Sequence, residues 1–124
     1  MNESAENYLE RILMLKEQKG IVRSIDIARA MDFSKPSVSV AMKLLRENGY
    51  ITMDSENLIE LTPAGLAIAK GIYERHKVLT AMLVGLGVNE KTAREDACRI
   101  EHDISEQSFE SIKAHMVEKG TLKL

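Results

Sequence analysis

The 124-residue chain has one cysteine, no apolar run long enough to cross a membrane, and almost no excess of either charge, with 17 Lys and Arg against 19 Asp and Glu. A single thiol forms no internal disulfide, which agrees with a reducing cytoplasm, and it lacks the paired ligands that zinc fingers and ribbons use. The N-terminus carries no apolar centre of the kind found in a signal peptide, so a cytoplasmic protein is expected. A formal net charge of -2 argues against a protein that coats nucleic acid nonspecifically. No repeat, low-complexity segment or long linker interrupts the chain. No glycine turn suited to stabilising an oxyanion accompanies the thiol, so an enzyme is not expected. The length suits one compact domain, or a small domain with an appended helical part.

What is present centres on the stretch Ser24 to Gly49. Ser24 is a competent N-cap for a helix carrying Ile25, Ile27, Ala28 and Met31, and Asp32-Phe33-Ser34 interrupts it. A second helix begins at Lys35, with Pro36 in its first turn, where a missing N–H costs nothing. Val38, Ala41, Met42 and Leu45 recur at helical spacing and face inward, which leaves Ser34, Lys35, Ser37, Ser39, Val40 and Lys43 outward or on the flank. This is a helix-turn-helix pattern, whose second helix enters the major groove of double-stranded DNA. Tyr50–Met53 and Leu58–Leu61 read as strands around a polar turn, Asp54–Asn57, and a hairpin in that place is a wing.

Upstream, Ser4 is placed to cap a helix to about Lys19, stopped by Gly20, with Ala5, Tyr8, Leu9, Ile12 and Leu13 as its buried stripe. Asn7, Glu10 and Met14 share a neighbouring face through their spacing of three and four. Downstream, Thr62-Pro63 opens a helix running to about Val84, too long for a minimal winged helix, which carries the chain to a second layer or a dimer interface. His76 lies in its second half. Asn89 caps a further helix with Ala93, Ala97, Ile100 and Ile104 as its stripe, and Ser105 caps a last one with Phe109, Ile112 and Met116 facing inward. The final residues, Thr121 to Leu124, are expected to fray. Residues 1–50 hold eight Lys/Arg and seven Asp/Glu, and residues 51–124 hold nine against twelve, so the second part is the acidic one.

Cys98, Glu101 and His102 stand at i, i+3 and i+4, so a helix sets a thiol, a carboxylate and an imidazole on one side within reach of a single ion. Soft sulfur, nitrogen and hard oxygen together suit a first-row divalent metal better than calcium or magnesium. The same spacing fits a polar helix face with a free cysteine, and His76 alone needs partners before it counts as a ligand.

The order of helix, helix-turn-helix, wing, long helix and a Cys98–His102 helix resembles the diphtheria-toxin-repressor and manganese-transport-regulator family of metal-dependent transcriptional repressors, over nearly the whole chain. Glu6-Asn7-Tyr8-Leu9, Leu61-Thr62-Pro63-Ala64-Gly65, Arg75-His76 and Glu95-Asp96-Ala97-Cys98-Arg99-Ile100-Glu101-His102 carry the resemblance. It implies a homodimer in its short form, without the SH3-like domain of longer members, and a metal site on Asn7, Glu10, His76, Cys98, Glu101 and His102. Asn7 stands where iron-sensing members have methionine and manganese-sensing members aspartate. Cys98 resembles the iron-sensing branch and Glu10 the manganese-sensing one. Members with an ancillary site use a glutamate and a histidine where this chain has Thr80 and Arg94, so that site is not expected in its usual form.

The resulting expectation is a mainly α protein with a small β-hairpin. Residues 1–72 form a winged helix-turn-helix DNA-binding domain and residues 73–124 a helical metal-binding and dimerisation domain. Fe(II) or Mn(II) acts as corepressor on a pseudo-palindromic operator, controlling metal-uptake genes. The alternatives are a metal-independent winged-helix regulator and a winged-helix protein-interaction module.

Overall fold

The structure, a computed structural model, describes residues 2–120. The expected fraying segment, Thr121 to Leu124, lies outside the described residues. The chain forms two compact units that meet in sequence between Gly71 and Ile72.

The first unit contains α1 (Glu3–Lys19), α2 (Ser24–Met31), α3 (Lys35–Glu47), β1 (Ile51–Met53), β2 (Ile59–Leu61) and the start of α4 (Pro63–Gly85). Helix α1 opens two residues earlier than expected. Asn2 rather than Ser4 is its cap, its side-chain oxygen accepting from the Ala5 N–H at 2.8 Å, with Glu3 and Glu6 in the first turn where the helix dipole favours negative charge. Gly20 closes the helix at φ 82°, where its N–H reaches the Lys16 carbonyl. Ser24 is likewise the first helical residue of α2 and not its cap. Arg23 holds the cap position, and its N–H is bound by the Asp26 carboxylate at 2.9 Å. That carboxylate also accepts from Lys19 at 2.6 Å, so one side chain joins the end of α1 to the start of α2.

Asp32 turns the chain through the left-handed region at φ 56°, and Ser34 caps α3 by accepting from the Ser37 N–H. Phe33, half exposed in this turn, packs edge-on against Tyr8 with centroids 5.9 Å apart. Leu9, Ile12, Ile27, Val38 and Met42 are essentially sealed from solvent, as the apolar spacing of their helices predicts.

The wing is a two-stranded antiparallel pair with Ile51 opposite Leu61 and Met53 opposite Ile59. Its strands are shorter than expected, leaving out Tyr50 and Leu58. The Tyr50 carbonyl is instead taken by the Thr62 N–H at 3.1 Å, and the Leu58 N–H by the Asp54 side chain at 3.0 Å. Asp54 also accepts from Glu56 N–H, and Asn57 adopts φ 62°, so the polar turn is built from its own side chain. Ile59 donates to the Val22 carbonyl at 2.8 Å, and Lys16 pairs with Glu60, which ties β2 to the helical part of the unit.

Helix α4 begins as expected: the Thr62 hydroxyl accepts from the Gly65 N–H and donates to the Gly49 carbonyl at 2.7 Å. The second unit holds the rest of α4, α5 (Glu90–Ile100) and α6 (Glu106–Glu118). Asn89 and Ser105 cap α5 and α6 through the N–H groups of Thr92 and Ser108. Val78, Phe109 and Met116 form its apolar cluster, with Ala81, Met82, Ile104 and Ile112 partly buried against it. Leu79, Ala93, Ala97, Phe109 and Met116 are interior within the single chain, while Val84 and Leu86 are, among the described residues of this unit, the large apolar side chains left exposed. Among the described residues no helix is long and apolar enough to cross a membrane.

Candidate metal centre and nucleic-acid interface

In the second unit, α4 contributes His76, α5 contributes Cys98, and the segment just beyond α5 contributes Glu101 and His102. Spacing alone predicts a continuous helix through Cys98–His102. The helix instead ends at Ile100, although Glu101 keeps helical backbone angles and donates to the Ala97 carbonyl at 2.9 Å. The following turn tightens, with the Asp103 N–H reaching the Ile100 carbonyl at 2.9 Å. The reason lies downstream: Ser105 must leave the helical path to cap α6, so the chain turns within four residues.

Glu101 is fully buried, and its two carboxylate oxygens face two different imidazoles. One lies 3.1 Å from His76 Nδ1 and the other 3.4 Å from His102 Nε2. Cys98 Sγ is 3.7 Å from the same His76 nitrogen, and it is a free, exposed thiol. Ligand atoms of His76, Cys98 and Glu101 all lie within 4.8 Å of one another. A carboxylate sealed from water is costly unless a positive charge or several donors compensate it. The donors gathered here, one sulfur, imidazole nitrogen and carboxylate oxygen, fit a first-row divalent cation, which supplies that charge. The set is unlike the all-oxygen cages of calcium and magnesium.

Four of the six expected ligands therefore stand in one unit. The other two, Asn7 and Glu10, are on α1 in the first unit, three residues apart on one face, with Glu10 buried and Asn7 partly so. At the expected ancillary positions, Thr80 is partly buried and Arg94 is ion-paired with Glu90 one turn earlier on α5. Neither is the carboxylate or imidazole that such a site uses. Side-chain spacing gives no role to Arg75, whose guanidinium binds the carbonyls of the turn carrying Glu101 and His102. The signal was a cation next to His76, but its carbonyl acceptors lie 26 and 29 residues away, as backbone atoms that no side-chain pattern reveals.

On the first unit, Ser34, Lys35, Ser37, Ser39, Val40 and Lys43 are all exposed along α3, Val40 by 60%. Val38, Met42 and Leu45 anchor the opposite face. The Ser34 hydroxyl is occupied locally, donating to Ser37 Oγ at 2.8 Å while it caps the helix. Lys35 and Ser39 line a small groove of about 190 Å³ together with Ser24 and Ile25 at the start of α2. A solvent-facing row of hydroxyl and ammonium groups on the second helix of such a pair is what phosphate and base-edge contact requires.

Residues 1–69 match the family described as iron dependent repressor, N-terminal DNA binding domain. Residues 62–118 match the iron dependent repressor, metal binding and dimerisation domain. The chain is 36% identical over 118 residues to an uncharacterized HTH-type transcriptional regulator of Methanocaldococcus jannaschii, covering 94% of each. It is 33% identical over 119 residues to the transcriptional regulator MntR of Salmonella typhimurium, covering 96% of this chain and 76% of that one. Among solved structures, the manganese regulator SloR superposes over 94% of this chain with a TM-score of 0.81 at 26% identity, and this chain spans 54% of that one. A winged helix-turn-helix unit that matches the DNA-binding model, followed by a helical unit that matches the metal-binding and dimerisation model, places the chain in the iron-dependent repressor family of metal-dependent, DNA-binding transcriptional repressors.

Proposed function

We propose that this protein is a cytoplasmic repressor for which Fe(II) or Mn(II) is the corepressor, and that it regulates metal uptake. His76, Cys98, Glu101 and His102 hold the ion, joined by Glu10 and by Asn7, whose amide oxygen is a weaker donor than the aspartate of manganese-sensing relatives. The observation that supports this reading best is the buried Glu101 carboxylate set between His76 and His102 with the Cys98 sulfur alongside. When bound, the cation supplies positive charge to a carboxylate-rich region and a common anchor for side chains from separate helices. Its sulfur donor favours iron over manganese, whereas raw affinity alone favours copper or zinc; geometry and cellular supply then decide the activator.

Because Glu10 and Asn7 come from α1 and the other donors from α4 and beyond, metal favours the arrangement in which these elements converge. It shifts the equilibrium only by its differential affinity for that arrangement. The homodimer presents two α3 helices to a pseudo-palindromic operator whose half-sites are spaced by whole helical turns, about 34 Å or a multiple. Ser34, Lys35, Ser37, Ser39 and Lys43 contact phosphates or base edges, and Val40 meets a thymine methyl.

The test is operator affinity against metal concentration, using the DNA upstream of the chain's own gene, for the parent, His102→Ala and Glu10→Ala. The parent should bind weakly in chelator and tightly in Mn(II) or anaerobic Fe(II), and both variants should need far more metal. Equal binding of the parent in chelator would show a metal-independent regulator instead, and a parental metal response in both variants would remove His102 and Glu10 from the site.

A further inference from the structure

The N–H groups of Glu101, Asp103 and Ile104 tie the segment that carries Glu101 and His102 to the Ala97 and Ile100 carbonyls of α5, but the segment's own carbonyls need donors from elsewhere. Beyond Ile100, the carbonyls of a helix C-terminus have no intrahelical partners. Two of those that follow, Glu101 O and Ile104 O, accept from a single Arg75 nitrogen, Nη1, at 3.2 and 2.8 Å. The other terminal nitrogen, Nη2, pairs with Glu106 at 3.0 Å in the first turn of α6. The guanidinium carbon lies 5.3 Å from the centroid of the Phe109 ring, and the Arg75 side chain is only 17% exposed.

We propose that Arg75 is the positioning residue of the metal centre, fixing the turn so that the Glu101 carboxylate and the His102 ring meet the ion. This rests on the metal-binding function proposed above. Arg75 is the chain neighbour of His76, so a single turn of α4 both supplies one donor and sets the place of two others. A planar guanidinium suits the task because its donors leave in fixed directions, two toward the turn and one toward α6. The ammonium of lysine is a point charge on a flexible stem and cannot serve three separated acceptors at once. A metal site depends on placement to within about half an ångström, and groups that only orient the ligands are worth roughly tenfold to a hundredfold in metal affinity.

The experiment measures Mn(II) affinity directly, by competition with a fluorescent chelator, beside the melting temperature of the metal-free protein. Parent, Arg75→Lys, Arg75→Met and Glu106→Gln are compared. Arg75→Lys keeps the charge, Arg75→Met keeps the stem over Phe109, and Glu106→Gln keeps both carbonyl contacts. The expected result is a loss of affinity of about tenfold or more for both Arg75 variants, less than about twofold for Glu106→Gln, and metal-free melting of Arg75→Lys close to the parent. Saturating Mn(II) should restore operator binding to Arg75→Lys. Parental Mn(II) affinity in folded Arg75 variants would overturn the proposal. So would an equal loss in Glu106→Gln, which would move the role to the ion pair, or a failure of both Arg75 variants to fold, which would make Arg75 a determinant of the fold alone. A parent that takes up no Mn(II) or Fe(II) is a different result, and it removes the metal-binding function itself.

Discussion

Gly65 separates two opposing physical effects within one residue. It lies in the first turn of α4, where alanine has the higher helix propensity by about 1 kcal/mol. A Cβ at this position would collide with the Tyr50 carbonyl oxygen and sit 3.0 Å from its carbon, inside ordinary contact. The obstacle is backbone, and that carbonyl is already held by the Thr62 N–H at 3.1 Å, one step before the helix starts. Relief must therefore push α4 away from the end of α3, at a cost of about 1–3 kcal/mol for overpacking and about 1 kcal/mol for the weakened Thr62 hydrogen bond. After the propensity gain is subtracted, Gly65→Ala should destabilise the protein by about 1–3 kcal/mol. Gly71, on the same helix, has nothing within 4 Å of the equivalent position. Gly71→Ala should therefore stabilise by about 0.5–1 kcal/mol. Urea unfolding followed by helical circular dichroism reads both, as shifts of the midpoint in opposite directions. If Gly65→Ala is as stable as Gly71→Ala, the close approach of α4 to Tyr50 is not a constraint and the reasoning fails.

Lys43→Ala should weaken binding to all DNA sequences alike and lower the salt slope by about one unit, as loss of a phosphate contact does; unchanged affinity and slope for both Lys35→Ala and Lys43→Ala would remove α3's flank from the interface. The Lys19 ammonium and the Arg23 N–H hold the Asp26 carboxyl below its ordinary value of 3.8. A lowered folded-state value means stability that is present above 3.8 and lost as pH falls below it, so parent and Asp26→Asn should differ by about 1 kcal/mol at neutral pH and converge in acid; a constant difference at every pH would contradict the assignment. Thiolate and neutral imidazole are the binding forms, so metal affinity should fall as pH drops from 8 to 6, by direct titration, and a flat profile would point to carboxylate donors alone.

The helix caps, the turn before α3, the polar wing and the apolar stripes were legible in the sequence because each depends on residues a few positions apart. Caps act over three residues, as Asn89 and Ser105 do, and burial follows a period of 3.6, as Val38, Met42 and Leu45 do. Even here the local rule admits more than one answer. Asn2 and Ser4 are both competent caps, and the chain uses the one that adds residues to α1. Cys98, Glu101 and His102 were readable as a donor group for the same reason, five residues being within the reach of local geometry. The tertiary structure decided what those rules cannot reach. His76 meets Cys98 across 22 residues, Arg75 finds its carbonyls on the far side of α5, and Gly65 is required by an oxygen fifteen residues before it. Apolar spacing marks the faces of Ala97 and Phe109 as buried without saying what covers them, and in the folded chain both are interior, as is Leu79. Long-range placement of this kind depends on the packing of whole helices, and only the folded chain determines which backbone atoms those helices bring within reach of a side chain.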